Sequence, residues 1–186
     1  LGRAGLTIEQ AQRLLADPEL VAQWVKAFPV SVTAALDLPT FRVTINYEIT
    51  FSVMVEVGEY DWVNEDVKAS RDANAPTDHF KLTGKGLQEI DIVLLHLNRE
   101  ATTDEVVAEM DKQGLRPATI EELLALGAAH PKLQLDFPIV ALGSHCLVRG
   151  CENVPVLRRL VHGRGIDLDY HLFEWDYRSR FAAVRK

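Results

Sequence analysis

Both cysteines and half of the six histidines of this 186-residue chain fall within its last forty-four residues: His145, Cys146, Cys151, His162 and His171. Imidazole nitrogen and thiolate sulfur are the donors of zinc sites, and a closed structural site takes four of them at workable spacing. His145, Cys146 and Cys151 have the residue types, and His162 is the available fourth. The two cysteines, separated by four residues, also admit a local disulfide, but they are too few for a disulfide scaffold. They read as independent small side chains, so no metal and no cofactor is assigned. Ser144-His145 sets a hydroxyl beside an imidazole, yet adjacent strand residues point to opposite faces, which disfavours a nucleophile–base pair. Glu121-Glu122 falls in the first turn of an expected helix, where carboxylates complement the dipole. His96 reads as a hydrogen-bonded strand residue. No phosphate-cradling glycine loop, HExxH helix or Gly-x-Ser-x-Gly elbow occurs.

The stretch that holds these residues, Gly143 to Lys186, differs in composition from the rest. It carries a net charge of +3 against −10 for residues 1–142. Its apolar anchors Leu168, Trp175 and Phe181 stand among residues that share no chemical pattern, as in a surface chosen for what it touches. The overall charge of −7 argues against general nucleic-acid binding, which needs a basic stripe. No apolar run approaches the roughly 20 residues of a membrane span, and the N-terminus lacks a signal peptide's basic start and apolar core. The chain opens on Leu1, as one with an upstream segment removed would. No compartment is read, with cytoplasmic as the default.

The elements that must position the tail are clearer. Thr7-Ile-Glu-Gln10 is a capping box opening a helix with Ala11, Leu14 and Leu15 at helical spacing. Asp17-Pro18 restarts it, and Leu20, Val21, Trp24, Val25 and Phe28 form one face. Residues 1–39 are therefore expected as an N-terminal helical segment packing on the main domain. From Phe41 to Phe51, apolar and polar residues alternate without a miss, which predicts an antiparallel or edge strand with one wet face. Asn64 to Asp78 reads as a surface loop, and Leu87 to Asn98 as a second strand. Thr102-Thr-Asp-Glu105 and Thr119-Ile-Glu-Glu122 cap two further helices. Gly114 ends the first and Pro131 stops the second. Phe137 to Leu142 reads as a short buried strand. The order predicts an α+β domain over residues 40–186.

Gly114-Leu-Arg-Pro-Ala-Thr-Ile-Glu-Glu-Leu-Leu-Ala-Leu126 resembles the second-helix region of the C-type-lectin fold. Its nearest look-alike is the RLPTEAEWEYA-type segment of the formylglycine-generating-enzyme branch. Arg180-Phe181-Ala-Ala-Val-Arg185 is similar to that branch's final strand. Longer runs, namely Gly58-Glu-Tyr-Asp-Trp-Val-Asn64, Arg116 to Leu126 and Phe137-Pro-Ile-Val-Ala-Leu-Gly-Ser144, resemble the variable proteins of diversity-generating retroelements, a family of archaeal and candidate-phylum proteins. The resemblance covers residues 40–186 and is strongest from Gly114 to Ser144.

The resemblance implies a C-type lectin fold with two helices packed on antiparallel sheets. It also implies a variable region at about residues 143–186, rewritten by a reverse transcriptase that errs at template adenines. Gly143, Ser144, Val154, Pro155, Leu157, Leu168, Trp175, Arg180, Phe181, Val184 and Arg185 would be framework. His145, Cys146, Cys151, Arg158, Arg159, His162, Tyr170, His171, Phe173, Glu174, Asp176, Tyr177 and Ser179 would be substituted, ligand-facing positions. Tyr, His and Phe give such a face contact area, and Ser, Asp and Arg give adaptable polar contacts. The expected function is non-enzymatic binding of a protein or other macromolecular ligand by a monomer. The alternative is a formylglycine-generating-type metalloenzyme with Cys146 and Cys151 on copper, although the tryptophan- and glycine-rich motifs of that family are missing. A nucleic-acid module built on Arg149, Arg158, Arg159, Arg164 and Arg178 is a third reading.

Overall fold

A computed structural model describes residues 38–69, 80, 84–172 and 174–186. The chain divides into two units, Leu1–Asp37 and Leu38–Lys186, and the described residues belong to the second. The helices expected before residue 38, residues 70–78 of the expected loop, and Phe173 lie outside the described residues.

The second unit is α+β. Its strands are β1 (Thr40–Asn46), β2 (Trp62–Val63), β3 (Leu87–Leu95), β4 (Leu115–Pro117), β5 (Ile139–Val140), β6 (Cys146–Val148), β7 (Cys151–Leu160), β8 (Gly163–Tyr170) and β9 (Arg180–Arg185). They form one sheet in the order β1-β3-β9-β5-β7-β8-β2, with β4 also on β9 and β6 on β7. All pairs are antiparallel except β5–β9 and β2–β8. The helices are α1 (Phe51–Val57), α2 (Glu65–Ala69), α3 (Thr103–Lys112), α4 (Ile120–Ala129) and α5 (Leu133–Asp136). Among the described residues, no helix is long and apolar enough to cross a membrane.

The central strands are buried on both faces, which is why they read as continuous apolar runs. Ile92 and Leu94 of β3, Ala182 and Val184 of β9, and Ile139 of β5 join one core with α1 and α4. Val93 and Leu95, Phe181 and Ala183, and Val140 join a second core with Val106 and Met110 of α3. β1 lies at the end of the sheet, and its Val43 and Ile45 are buried while Arg42 and Thr44 are exposed. The wet-faced strand is therefore present, but it ends at Asn46.

The alternation from Phe41 to Phe51 runs past the strand into a helix. Thr50 caps α1, its hydroxyl accepting from the Val53 N–H, and Phe51, Met54 and Val55 turn inward. The period of two at Ile49 and Phe51 coincides with a helical spacing that starts there, and the cap decides between them. Within the stretch expected to be a loop, the Asn64 side chain accepts from the Asp66 N–H at the start of α2.

α3 carries the full capping box at Thr102 and Glu105, and Gly114 follows its end at φ 67°, a conformation glycine adopts without strain. α4 buries Ile120, Leu123, Leu124 and Leu126 as expected. Its acidic pair is different from expectation: Glu121 and Glu122 are each 1% exposed. Arg116 donates to both Glu122 carboxylate oxygens, at 3.0 and 2.6 Å, and the Thr119 N–H donates to the same carboxylate at 2.7 Å. That carboxylate is the counter-ion of Arg116 as well as a helix-end partner.

Arg116→Ala would strand the Glu122 carboxylate in the core. Because the Arg116 side chain is itself 40% exposed, we expect a loss of about 1–3 kcal/mol in urea unfolding, the order seen when a buried acceptor loses its donor. A loss below that of an ordinary surface substitution would show that the pair is structurally neutral.

Candidate functional site

Three connections place the tail. Arg149 and Gly150 join β6 to β7 with φ of 51° and 80°, both left-handed, as in the two-residue turn whose twist matches a hairpin. That turn sets the register Cys146↔Asn153, Leu147↔Glu152 and Val148↔Cys151. Val161 and His162 join β7 to β8. The segment 171–179, between β8 and β9, is held by α3. The Thr103 hydroxyl donates to the His171 carbonyl at 2.6 Å and accepts from the Trp175 indole N–H at 3.0 Å. Trp175 and Ala101 exchange two backbone hydrogen bonds, and the Trp175 ring meets Phe181 edge-on at 5.8 Å. His96 donates from Nε2 to the Tyr177 carbonyl at 2.7 Å, so it is hydrogen-bonded as expected, but it lies just past the strand, which ends at Leu95 and not at Asn98.

This segment forms one wall of a cleft of about 260 Å³, lined by Pro138, Val140, Arg158, Asp169, Glu174, Trp175, Asp176, Arg178 and Ser179. Four of the expected ligand-facing residues meet there: Arg158, Glu174, Asp176 and Ser179. Arg158 pairs with Asp169 and lies 3.8 Å from Asp167. Burial raises the Asp169 carboxyl above its ordinary value, partly offset by Arg158. Burial works the same way on Asp176, but hydrogen bonds from Arg178 and Ser179 outweigh it and hold that carboxyl below its ordinary value. Asp176 accepts from the backbone N–H groups of Arg178 and Ser179 and from the Ser179 hydroxyl, which closes the turn into β9. Ser179 is buried, so it builds the wall more than it faces a ligand. The cleft is polar and crosses both charges, as suits a polar or charged group of a partner.

A second grouping forms at the other end of the β6–β7 turn's register. His145 Nδ1 lies 3.8 Å from one Glu152 oxygen and His171 Nδ1 lies 3.9 Å from the other. The two imidazole rings are 4.6 Å apart.

The remaining expected positions scatter. Arg159 and His162 are exposed at the β7–β8 turn end, away from both groupings along the hairpin. Tyr170 and Tyr177 are exposed, which favours display over core for both. Cys146 is buried in β6 and Cys151 is exposed at the start of β7; both are free thiols. They occupy diagonal positions of the β6–β7 ladder, and diagonal neighbours sit roughly 7–8 Å apart. Of the five arginines, Arg158 and Arg178 share the cleft and the others do not join them there. Arg158 and Arg178 pair with Asp169 and Asp176, and Arg164 donates to the carbonyls of Gly58 and Gly127 while covering the Tyr60 ring at 4.8 Å.

Sequence reasoning missed Asp167, Asp169, Glu152 and Thr103 as site residues, and it named Arg178 only for a nucleic-acid module. The alternation Asp167-Leu168-Asp169 was a readable signal, since it puts two carboxylates on one strand face. Arg158 pairs with them because β7 and β8 run antiparallel from one tight turn.

Thr103→Val keeps the shape of the side chain and leaves the buried Trp175 N–H unsatisfied. We expect about 1–3 kcal/mol lower stability and loss of the fixed tryptophan environment in near-ultraviolet circular dichroism. Unchanged spectra would refute the anchoring role. Burial pushes the Cys146 thiol up to about 12. Iodoacetamide near neutral pH is therefore expected to add once per native chain, at Cys151, and twice after unfolding, as read by mass. Comparison of the chain with protein-family models, curated proteins and solved structures finds no match.

Proposed function

We propose that this chain is a binding protein, not an enzyme, and that its tail is a diversified recognition surface on a C-type-lectin-type scaffold. The observation that carries this reading is the split of the tail by burial. Val154, Pro155, Leu157, Trp175, Phe181 and Val184, expected as framework, are buried. Glu174 and Tyr177, with Cys151, Arg159, His162 and Tyr170, are exposed between them. A face of that kind tolerates replacement, because an exposed substitution away from special features changes stability by only about ±0.5 kcal/mol. Two capped helices, α3 and α4, joined to the opposite faces of a mostly antiparallel sheet are compatible with the lectin-type scaffold. The cleft beside Asp169 and Asp176 supplies the polar centre of the surface and the exposed tyrosines supply its contact area. The ligand is a macromolecule with a basic or hydrogen-bonding group that enters the cleft.

Sequencing the DNA around the gene tests the reading. We expect a reverse-transcriptase gene and a near-copy of the segment encoding Gly143 to Lys186, differing at codons for the exposed residues. Absence of both overturns it. Differences concentrated at Val154, Leu157 or Trp175 would also overturn it.

A further inference from the structure

We propose that His145, Glu152 and His171 form a binding site for a divalent transition metal of the zinc class. The inference does not depend on the retroelement reading, since the three residues are present whatever process wrote the sequence.

Register brings them together. Glu152 pairs with Leu147, two residues beyond His145, so residues 145, 147 and 152 share one face of the β6–β7 ladder. The His171 N–H donates to the Glu152 carbonyl at 2.9 Å, which extends the β7–β8 ladder by one residue and sets His171 beside Glu152 on that face. β7 lies between β6 and β8, so the three adjacent chain segments each contribute one donor.

The donor atoms are arranged for a cation. One atom from each side chain lies within 4.8 Å of the others. His145 Nε2 lies 3.0 Å from the Leu142 carbonyl, a contact that places a proton on Nε2, so that in the neutral ring Nδ1 is the lone pair toward Glu152. A carbonyl on the far nitrogen is the usual second support of a metal-binding histidine. His171 Nδ1 is buried and has no hydrogen-bond partner. Its carbonyl is fixed by Thr103 and its amide by Glu152, so the residue is held at both ends of its peptide while its ring nitrogen is unsatisfied. Two imidazole nitrogens and a carboxylate at 3.8–3.9 Å are too distant to hydrogen-bond. Around zinc, with bonds of roughly 2.0–2.1 Å, tetrahedral ligand atoms lie about 3.3 Å apart. Glu152, 54% exposed, can turn to shorten its distances to both nitrogens, and the two imidazoles must also draw together from within 4.8 Å.

Imidazole suits zinc, copper and nickel, and two imidazoles with one carboxylate provide three protein ligands. Three ligands leave a fourth position. His145 is partly exposed, so that position faces solvent and accepts water or a donor from a partner. A metal here would give the tail a contact point stronger than any of its neutral side chains.

The full chain, stripped of metal by chelator, is titrated with zinc chloride alone in a calorimeter. We expect one equivalent to bind, and Glu152→Gln and His145→Asn each to weaken it at least about tenfold, the scale of losses at metal sites. Cys151→Ser is expected to bind as the unaltered chain does. The melting temperature of the unaltered chain should rise with zinc, since a ligand of the native state stabilises it by mass action, and that of Glu152→Gln should not. Equal melting temperatures of the two chains without metal separate lost binding from lost folding. The proposal fails if one equivalent does not bind, if both variants bind as tightly as the unaltered chain, or if Cys151→Ser abolishes binding.

Discussion

A single buried hydroxyl organises the end of this protein that holds the cleft and the histidine grouping. Thr103 stands at the first turn of α3 and serves two masters in the segment 171–179, donating to the His171 carbonyl and accepting from the Trp175 indole. The first bond fixes where β8 ends and therefore where His171 lies against Glu152. The second fixes the tryptophan that forms the back of the cleft. Histidine grouping and cleft are thus positioned from one point of a helix whose own start is set by a capping box. Without it, the segment would keep the paired amides of Ala101 and Trp175, the His171 amide on Glu152, His96 on the Tyr177 carbonyl and the packing of one indole on Phe181.

The tail is not an appendage on a finished body. It contributes β6 to β9, and β9 lies between β3 and β5, with α4 against one face of that part of the sheet and α3 against the other. A surface carried by such strands is stiff, since alternate residues of the same strands are locked in two cores. Val154 and Val156 are held while Arg158, two residues further along the same face, reaches the cleft. Stiffness lowers the entropy cost of binding. It also restricts where substitution is tolerated, because a changed residue on the buried register costs cavity or strain energy.

Much of the body was legible in the sequence. The capping boxes, the apolar faces of α3 and α4, and the wet-faced strand β1 all follow from local periodicity and end chemistry. What was not legible depended on distance. Helix α1 was masked because Phe51 satisfied both the strand period and the helix that begins at Thr50. The acidic pair of α4 looked like ordinary first-turn carboxylates, since nothing local reveals that Arg116 folds back onto Glu122. The tail looked irregular because its order resides in pairing: Arg149 adopts a left-handed conformation that arginine rarely signals, and the register it sets brings residues 145, 152 and 171 to one face. Burial likewise separated Cys146 and Ser179 from the exposed positions with which their residue types had grouped them.

The partners β3 and β9 are about ninety residues apart in sequence, with Ile92 opposite Val184. Chains whose contacts span such separations fold slowly, because the entropy of closing the loop is lost before the sheet rewards it. Helices α3 and α4 can form early from local signals, but the sheet between them cannot close until the segment 171–179 has turned the chain back into β9. Until then, the apolar run Ile92-Val-Leu-Leu95 has no partner on that side and is open to the wrong one. A substitution in that segment is consequently tested twice. It alters what the surface presents, and it alters how readily β9 reaches its place between β3 and β5.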